Sequence, residues 1–320
     1  MNKKLIPNTD LKPSAICLGG AHLGAAIDEE SAFKLLDAFY DMGGNFIDTA
    51  NVYGRWMPGG ESLSERTIGK WIKNKGIRDD IVLTTKGAHP DLSTMDVQRL
   101  SPEEIRGDLE ESLSNLNADV IDLYWIHRDD ESRDVEEIIR TLESFASEGK
   151  IRYYACSNWS AERIEKAYDY AREQGATGFV ANQMMWSLAA PNTQAIFDKN
   201  MKRMTDEMKE LHLKTGMAAI PYSAQANGYF SMLDSMKITD IPQDVLDKYN
   251  NDINLSRYKK IKELTMKYDT TIPAIILSYI INQPFVAIPT AGFENFEQMQ
   301  NLLRDVDLEL SREDIKYLEG

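Results

Sequence analysis

FIDTANVYG, which occupies residues 46–54, is the most informative segment of the sequence. Its first half is a short apolar run, and the segment contains an aspartate, Asp48, and a tyrosine, Tyr53. Near-continuous apolar runs are typical of strands that are buried on both faces of a parallel sheet. A carboxylate at the end of such a strand is costly unless it is paired, but one polar strand end alone does not indicate a functional site.

Further runs of β-branched, aromatic and other apolar residues recur along the whole chain, and with the first one they predict eight strands. Most of them lack strict alternation, which again indicates burial on both faces. The predicted strands are Ala15–Gly20, Asn45–Ala50, Ile81–Lys86, Asp122–His127, Ile151–Ser157, Phe179–Met184, Met217–Ser223 and Val286–Thr290.

The segments between these runs have the periodicity of amphipathic helices. One of them opens with Ser101 and Pro102, an N-cap residue followed by a proline in the first turn, which is typical of a helix start. The predicted helices are Glu29–Met42, Ser64–Lys75, Ser101–Leu116, Val135–Ser147, Ser160–Glu173, Gln194–Leu213, Leu255–Tyr268 and Phe296–Asp305.

Strands that alternate with helices predict parallel βα units, which build either a closed (β/α)8 barrel or an open doubly wound sheet. The count of eight, and the lack of a G-x-G-x-x-G after the first strand, favour the TIM barrel. We expect one barrel domain over residues 1–320. About 14 residues before strand one predict an N-terminal hairpin on the barrel floor, and Ala224–Asn254 is a long loop after strand seven, often the place of a lid.

Composition excludes several classes of function. The formal charge of −15 argues against binding to a nucleic-acid backbone. The longest strongly apolar run, Ile272–Ile281, is too short to cross a membrane, and the N-terminus does not resemble a signal peptide. Two distant cysteines, Cys17 and Cys156, predict a reducing compartment without a disulfide framework. We therefore expect a soluble cytoplasmic protein.

Polar side chains stand at the ends of three successive predicted strands. Asp48, Lys86 and His127 occupy these places, and Tyr53 follows just beyond the first. Alone, each has an ordinary structural explanation, such as an ion pair or a histidine satisfied by backbone. Because catalytic groups of a barrel gather at the carboxyl ends of its strands, the four together predict an active site. The four histidines show no metal-ligand spacing, so a metal-dependent hydrolase or lyase is disfavoured.

At this point the sequence resembles the aldo-keto reductase superfamily. The resemblance runs in the correct order through nearly the whole chain and implies a (β/α)8 barrel that binds a nicotinamide cofactor without a Rossmann motif. It is carried by FIDTANVYG at 46–54, TTKG at 84–87, DLYWIHRDD at 122–130, GKIRYYACSNW at 149–159, Asn182-Gln183, PYS at 221–223 and residues 288–301.

The resemblance implies that Tyr53 is the general acid and that Asp48, Lys86 and His127 complete a catalytic tetrad. The chemistry agrees with these residue types. Hydride addition to a carbonyl leaves negative charge on oxygen, and a tyrosine, whose ordinary pKa is about 10, is a poor proton donor near neutral pH. The Lys86 ammonium would favour the ionised phenol, Asp48 would hold that ammonium, and an imidazole can polarise the carbonyl.

The resemblance also implies a nicotinamide site. Ser157, Asn158 and Gln183 would bind the carboxamide, and Tyr222 would stack on the ring; helix capping by Ser157 and Asn158, and core packing of Tyr222, are the structural alternatives. The family's strand-seven loop contacts the pyrophosphate, and Gln225 stands there where a leucine is usual. The implied residues of this loop are Ser223, Gln225 and Gly228.

Cofactor preference depends on the segment after the eighth strand. The family usually carries Arg or Lys there for the 2′-phosphate of NADPH, but residues 289–298 contain no basic residue, and Glu294 takes about that place. A carboxylate repels a phosphate and can bind a free ribose hydroxyl, as in NAD sites. The family default is NADP(H), whereas Glu294 favours NAD(H). Thr290, Gln298 and Asn301 are further expected cofactor contacts.

An insertion follows the predicted catalytic tyrosine. Residues 55–63, RWMPGGESL, make this link longer than the family's usual one. The insertion either shapes the substrate pocket or is a tolerated surface loop. A polar and aromatic rim would suit sugars or other polyols. The predicted substrate residues are His22, Arg55, Trp56, Arg128 and Trp186.

We therefore expect an NAD(P)H-dependent oxidoreductase that interconverts an aldehyde, ketone or sugar carbonyl and the alcohol. The alternative is a cofactor-binding sensor or accessory subunit, since potassium-channel β subunits share this fold and tetrad. Turnover of a panel of aldehydes separates the two. The expected partner is a small molecule, with neither nucleic acid nor membrane; the physiological substrate, the direction and the oligomeric state stay open.

Overall fold

The computed structural model describes residues 1–196, 198 and 200–320. Eight parallel strands form one sheet in the order β7-β6-β5-β4-β3-β2-β1-β8. An isolated parallel bridge between Ala219 and Ala287 joins the two edges, which confirms the predicted (β/α)8 barrel. The strands are β1 Cys17–Gly19, β2 Phe46–Asp48, β3 Val82–Gly87, β4 Ile121–Ile126, β5 Ile151–Ser157, β6 Phe179–Gln183, β7 Ala218–Ala219 and β8 Thr290–Ala291.

Helices surround the sheet, and their ends follow the capping residues. Ser101 forms a capping box with Glu104 at the start of α3, as its sequence indicated. The helices are α1 Glu29–Asp41, α2 Leu63–Lys75, α3 Pro102–Leu116, α4 Val135–Ser147, α5 Ala161–Gln174, α6 Asp206–Thr215, α7 Tyr229–Ser235, α8 Gln243–Tyr249, α9 Asp252–Tyr268, α10 Ile272–Ile281, α11 Phe296–Leu303 and α12 Arg312–Glu319. Among the described residues, none of these helices combines the length and apolarity needed to span a bilayer.

Two apolar layers hold the barrel together. The outer layer lies between sheet and helices, and the inner layer fills the barrel. The N-terminal residues pair as the expected hairpin, with an antiparallel bridge between Lys3 and Ser14. Ile6 and Leu11 of this hairpin belong to the inner layer with Phe46, so the hairpin closes the barrel opposite the carboxyl ends of the strands.

The predicted helix Gln194–Leu213 is wrong over its first half. Two of its residues, Phe197 and Lys199, lie outside the described part of the chain. The Lys202 carbonyl accepts from the Met185 N–H and the Met204 N–H donates to the Met185 carbonyl, and Thr205 caps a helix that begins only at Asp206. Backbone pairing with the extension of β6 therefore outweighs the helical pattern of this segment.

Other boundaries differ near the closure of the barrel. The predicted strand Val286–Thr290 is reduced to an isolated bridge at Ala287, and β8 itself pairs with β1 from Thr290 onward. Pro289 lacks the N–H that a regular ladder requires. The expected loop Ala224–Asn254 contains α7 and α8, and the sequence pattern also missed α10 and α12. Cys17 and Cys156 are both buried free thiols.

Candidate active site

The four expected catalytic side chains meet at the carboxyl ends of three neighbouring strands. Asp48 is the last residue of β2, Lys86 lies near the end of β3, and His127 directly follows β4. These strands are hydrogen-bonded neighbours in the sheet. Tyr53 enters the same place from the turn after β2, and its hydroxyl lies 3.3 Å from the Lys86 Nζ.

Lys86 is fully buried, and its ammonium has three acceptors. Nζ donates to Asp48 Oδ2 at 2.5 Å, to the Thr49 carbonyl at 2.8 Å and to the Tyr53 hydroxyl at 3.3 Å. Because an ammonium has three N–H donors, this set satisfies the group completely. Burial alone lowers the pKa of Lys86, but the Asp48 carboxylate and the Tyr53 hydroxyl outweigh burial and raise that pKa above its usual value. Lys86 is therefore a permanent positive charge.

Asp48 is held on more than one side. Thr84 Oγ1 donates to Asp48 Oδ1 at 2.8 Å, and Gln183 Nε2 reaches Asp48 Oδ2 from across the barrel at 3.4 Å. With the Lys86 ammonium, these contacts fix the plane of the carboxylate. The sequence did not single out Thr84, and its place two residues before Lys86 on the same strand was the available signal.

The turn that carries Tyr53 is tightly constructed. The Asn51 N–H donates to the Lys86 carbonyl at 2.9 Å, which ties the turn to β3. Gly54 has φ of 95°, and a Cβ there would lie 2.7 Å from that of Leu63, so glycine is required for the turn to meet α2. The phenol of Tyr53 remains half-buried beneath the exposed ring of Trp56, whose centroid is 6.2 Å away.

His127 is buried against the tyrosine, with ring centroids 5.9 Å apart. Burial lowers the pKa of His127 well below its usual range, and neighbouring His89, Lys86 and Arg128 act in the same direction. The imidazole is therefore neutral at pH 7. Its Nδ1 is buried and has no hydrogen-bond partner among the described residues.

The residues expected to hold nicotinamide lie together on the neighbouring strand ends. Asn158 Nδ2 donates to Ser157 Oγ at 3.0 Å, and the Tyr222 hydroxyl donates to Asn158 Oδ1 at 2.8 Å. Gln183 Nε2 donates to Asp48, and Gln183 Oε1 has no hydrogen-bond partner within the described chain. This free acceptor, beside the Ser157 hydroxyl, fits a carboxamide.

The loop after β7 has an unusual backbone. Four of its residues, Ser223, Ala226, Asn227 and Gly228, have φ between 51° and 78°. Three of these are not glycine, and left-handed backbone costs free energy at such residues. Strained backbone persists only where the surrounding structure enforces it, and it is concentrated at binding and catalytic sites. Gln225 lies between them, half-buried.

The segment after β8 is solvent-exposed at the positions expected to contact the adenine end. Glu294 and Gln298 hydrogen-bond each other, with the Glu294 N–H donating to Gln298 Oε1 at 3.0 Å. Asn301 is exposed on α11. Thr290 lies deeper, at the start of β8, and its hydroxyl is buried without a hydrogen-bond partner among the described residues.

The expected substrate residues have different surroundings. Arg55 is bound to the Glu111 carboxylate at 2.6 Å, and Arg128 pairs with Asp198 at 2.9 Å. Trp186 is buried against Tyr279 rather than lying on the rim. The two exposed members of the set are His22 and Trp56.

No group of three or more His, Cys, Asp and Glu side chains in the described ranges is arranged to hold a metal ion. Besides Thr84, sequence reasoning missed His89, whose ring lies against His127. Its position three residues after Lys86, at the same strand end, was the signal for it.

Comparison with known proteins gives consistent matches. Residues 15–320 match the profile described as "Aldo/keto reductase family". Norsolorinic acid reductase stcV of Emericella nidulans is 28% identical, with 99% of this chain and 80% of that protein covered. Aryl-alcohol dehydrogenase [NADP(+)] of Phanerodontia chrysosporium is 27% identical over 99% of this chain and 84% of that protein. The uncharacterized oxidoreductase YrpG of Bacillus subtilis is 29% identical over 99% and 95%.

Proposed function

The chain belongs to the aldo/keto reductase family, and from that premise we propose that it interconverts a carbonyl compound and its alcohol with a nicotinamide cofactor. The observation that carries the proposal is the fully buried Lys86 ammonium, which donates to both Asp48 and Tyr53. A buried charge aimed at a half-exposed phenol has little structural purpose, whereas it suits a proton donor.

Each protein group then has a defined task. The reduced cofactor, when bound, supplies a hydride to the carbonyl carbon. Tyr53 gives its hydroxyl proton to the carbonyl oxygen, and the O–H bond electrons remain on the phenolate. Lys86 stabilises that phenolate from 3.3 Å, and Asp48 keeps the ammonium in place. Water then returns a proton to Tyr53. In alcohol oxidation the same phenolate accepts the proton.

His127 supports this chemistry as a neutral donor. An unpartnered buried lone pair is less costly than an unpartnered buried N–H, so the free Nδ1 favours the proton on Nε2. That Nε2–H can donate to the carbonyl oxygen beside Tyr53. Because burial keeps the imidazole uncharged, the donor is available across the physiological pH range.

The residues that would hold the nicotinamide are those of the neighbouring strand ends. Gln183 Oε1 would accept from the carboxamide N–H, and the Ser157 hydroxyl would complete its hydrogen bonds. Asn158 would hold these groups in place, since its Nδ2 already donates to Ser157 and to the His127 carbonyl and its Oδ1 accepts from Tyr222 and Lys202. Tyr222, which Asn158 holds by its hydroxyl, would offer its ring face to the nicotinamide. The strained loop of Ser223, Gln225 and Gly228 would follow the pyrophosphate.

We expect NADH to bind at least as well as NADPH, because Glu294 stands at about the position where the family usually has a cation for the 2′-phosphate. At this exposed position like-charge repulsion is worth about 1 kcal/mol, or a factor of about 5 in affinity. Glu294→Arg should turn that repulsion into attraction and shift the preference toward NADPH by about tenfold. Fluorescence titration of both cofactors measures the two dissociation constants.

The neighbouring Gln298→Glu variant is the control, because it adds negative charge at the same rim and should disfavour NADPH further. The name of one relative specifies NADP(+), which is the opposite of the preference expected here. A wild-type preference for NADPH above tenfold would contradict the role given to Glu294 and would require a cation from elsewhere in the chain.

We propose aromatic carbonyl compounds as the first substrate class to test. Trp56 is 47% exposed beside the Tyr53 ring and can stack on a substrate ring. Relatives of this chain are named as aryl-alcohol dehydrogenases. Arg55 is bound to Glu111 and so attaches this turn to α3. This attachment favours an insertion that shapes the substrate pocket over a tolerated surface loop.

Trp56→Ala should lower kcat/KM for a benzaldehyde about three- to tenfold more than for an aliphatic aldehyde, since an aromatic contact contributes about 0.5–1.5 kcal/mol. Trp56→Phe retains a ring and should behave like the wild type. Steady-state kinetics with both aldehydes gives the ratio. Equal losses for the two substrates would show that the turn is not a specificity element.

Consumption of NADH and NADPH in the presence of aromatic aldehydes, aliphatic aldehydes, dicarbonyls and sugars tests the activity itself. Turnover at kcat values of about 1 s⁻¹ or more would support an enzyme. Cofactor binding without turnover of any carbonyl class would instead favour the sensor or accessory subunit expected as the alternative.

A further inference from the structure

His127 lacks the contact that usually orients a catalytic imidazole. In enzyme sites the second ring nitrogen normally bonds to a carboxylate or a carbonyl, and that bond fixes both the tautomer and the ring plane. Here Nδ1 of His127 is buried without a partner among the described residues. The ring must therefore be held by packing.

That packing comes from two aromatic rings. Tyr53 meets His127 edge-on, with centroids 5.9 Å apart and planes at 81°. His89 meets it more closely, at 4.7 Å and 61°. His89 is itself buried, with 9% of its surface exposed. The catalytic imidazole is thus enclosed between the proton donor and a second histidine.

The ring of His89 is fixed in its own right. Its Nδ1 lies 2.7 Å from the Pro90 carbonyl oxygen, which can only accept, so Nδ1 carries the proton. Burial lowers the pKa of His89 below its usual value, and this outweighs the hydrogen bond to Pro90. The charged groups near His89 are Arg128, Asp198 and Arg99, and the neutral His127 ring is its other titratable neighbour. His89 is therefore an uncharged, anchored ring.

The backbone before His89 is strained and clamped. Ala88 has φ of 60°, a left-handed conformation that is unfavourable for a residue other than glycine. The buried Asp108 accepts from the Ala88 N–H at 2.8 Å. Arg99 then bonds to Asp108 at 3.0 Å and to the His89 carbonyl at 3.2 Å. An ion pair between the half-buried Arg99 and the buried Asp108 thus maintains a strained turn that presents one side chain, His89, to the site.

We infer that His89 is a positioning residue, which holds the His127 ring so that its Nε2 faces the carbonyl oxygen; this inference rests on the proposed function. The geometry assigns the task to the shape and packing of the His89 ring against His127, and not to a proton that His89 itself would transfer. An aromatic ring of similar size at position 89 should therefore preserve most of the effect, and removal of the ring should not.

Another histidine of the chain provides the comparison. His212 is also buried, its Nδ1 bonds to the Met217 carbonyl at 2.8 Å, and its ring stacks on Phe285. It lies on α6, away from the tetrad, and no strained residue precedes it. His212→Ala thus reports what the loss of a buried, anchored imidazole does to stability alone.

The kinetic test compares three variants. His89→Ala should lower kcat by about 10–100-fold, the scale of a displaced catalytic group, with the cofactor dissociation constant unchanged within twofold. His89→Phe should stay within threefold of the wild type. His212→Ala should keep the kcat of the folded enzyme. Arg99→Met removes the bonds to Asp108 and to the His89 carbonyl but leaves the His89 ring in place, and it should lower kcat severalfold. This variant replaces His89→Ala in the test if His89→Ala folds poorly.

A second readout does not need turnover. The chain has four histidines, so the ring nitrogens can be resolved in ¹H–¹⁵N spectra of the cofactor-free protein. The wild type and His89→Phe should show one Nε2–H tautomer for His127, whereas His89→Ala should show exchange broadening or a mixture. A sharp, unchanged His127 signal in His89→Ala, or an unchanged kcat, would overturn the inference. Lack of carbonyl turnover by the wild type would instead overturn the proposed function, and the spectra would still decide the role of His89.

Discussion

Replacing Tyr53 by phenylalanine should lower kcat for carbonyl reduction by about 10²–10⁴, the usual contribution of a general acid. The substitution removes the hydroxyl that lies 3.3 Å from Lys86 Nζ and leaves the ring, which keeps its contacts with Trp56 and His127. The pocket should keep its shape. Cofactor affinity should therefore change by less than twofold, because the loss concerns the proton and not binding.

The matched control is Tyr40→Phe. Tyr40 also has a hydrogen-bonded hydroxyl, to Asp80 at 3.0 Å, but it lies on α1 at the protein surface. Its variant should turn over like the wild type. Steady-state rates of the three proteins, with cofactor binding measured separately, complete the test. Tyr53→Phe turnover within threefold of the wild type would remove Tyr53 from the role of proton donor.

Replacing Lys86 by methionine should be comparably damaging, and it should also change the response to pH. In the proposed mechanism the Lys86 ammonium stabilises the Tyr53 phenolate, so its loss should make the phenolate harder to form. Alcohol oxidation needs the phenolate as base, and the rise of its rate with pH should therefore move to higher pH. A pH–rate profile in that direction measures the shift. A profile that superimposes on the wild type after scaling would contradict the role.

Stability must be separated from chemistry in this variant. Lys86→Met leaves the Asp48 carboxylate buried without its counter-charge, and breaking a buried pair costs about 3–5 kcal/mol. The double variant Lys86→Met with Asp48→Asn removes both charges and should recover much of the free energy of unfolding. It should not recover activity. Recovery of both together would indicate that the pair serves the fold alone.

The sequence predicted the assembly of the site because parallel strands end at one edge. Asp48, Lys86 and His127 follow strands two, three and four, and closure of the barrel brings them together without further information. The same rule placed Ser157 and Gln183, which end paired strands. What strand ends could not show is which side chains share a hydrogen bond, such as Gln183 and Asp48 from opposite parts of the barrel.

The errors have a common physical origin in contacts distant along the chain. The segment before α6 has a helical pattern, but pairing with Met185 keeps it extended. His89 was missed for a similar reason. An alanine gives no sign that its backbone is left-handed, and only Asp108 and Arg99, which lie on or near α3, make that turn of the chain stable. The residues next to Ala88 in the sequence give no indication of these stabilising contacts.

The N-terminal hairpin has a consequence for how the polypeptide is made. Ile6 and Leu11 are synthesised long before Ile220 and Ile288, with which they pack in the barrel interior. Strand β1 likewise cannot pair with β8 until Thr290 has been synthesised. The nascent chain therefore exposes the apolar side chains of this hairpin until more than 200 further residues have been made, and the barrel interior is completed only after Ile220 and Ile288 have been synthesised. Among the apolar segments of the barrel interior, this hairpin waits longest for its partners, so we expect it to need chaperone protection for the longest time.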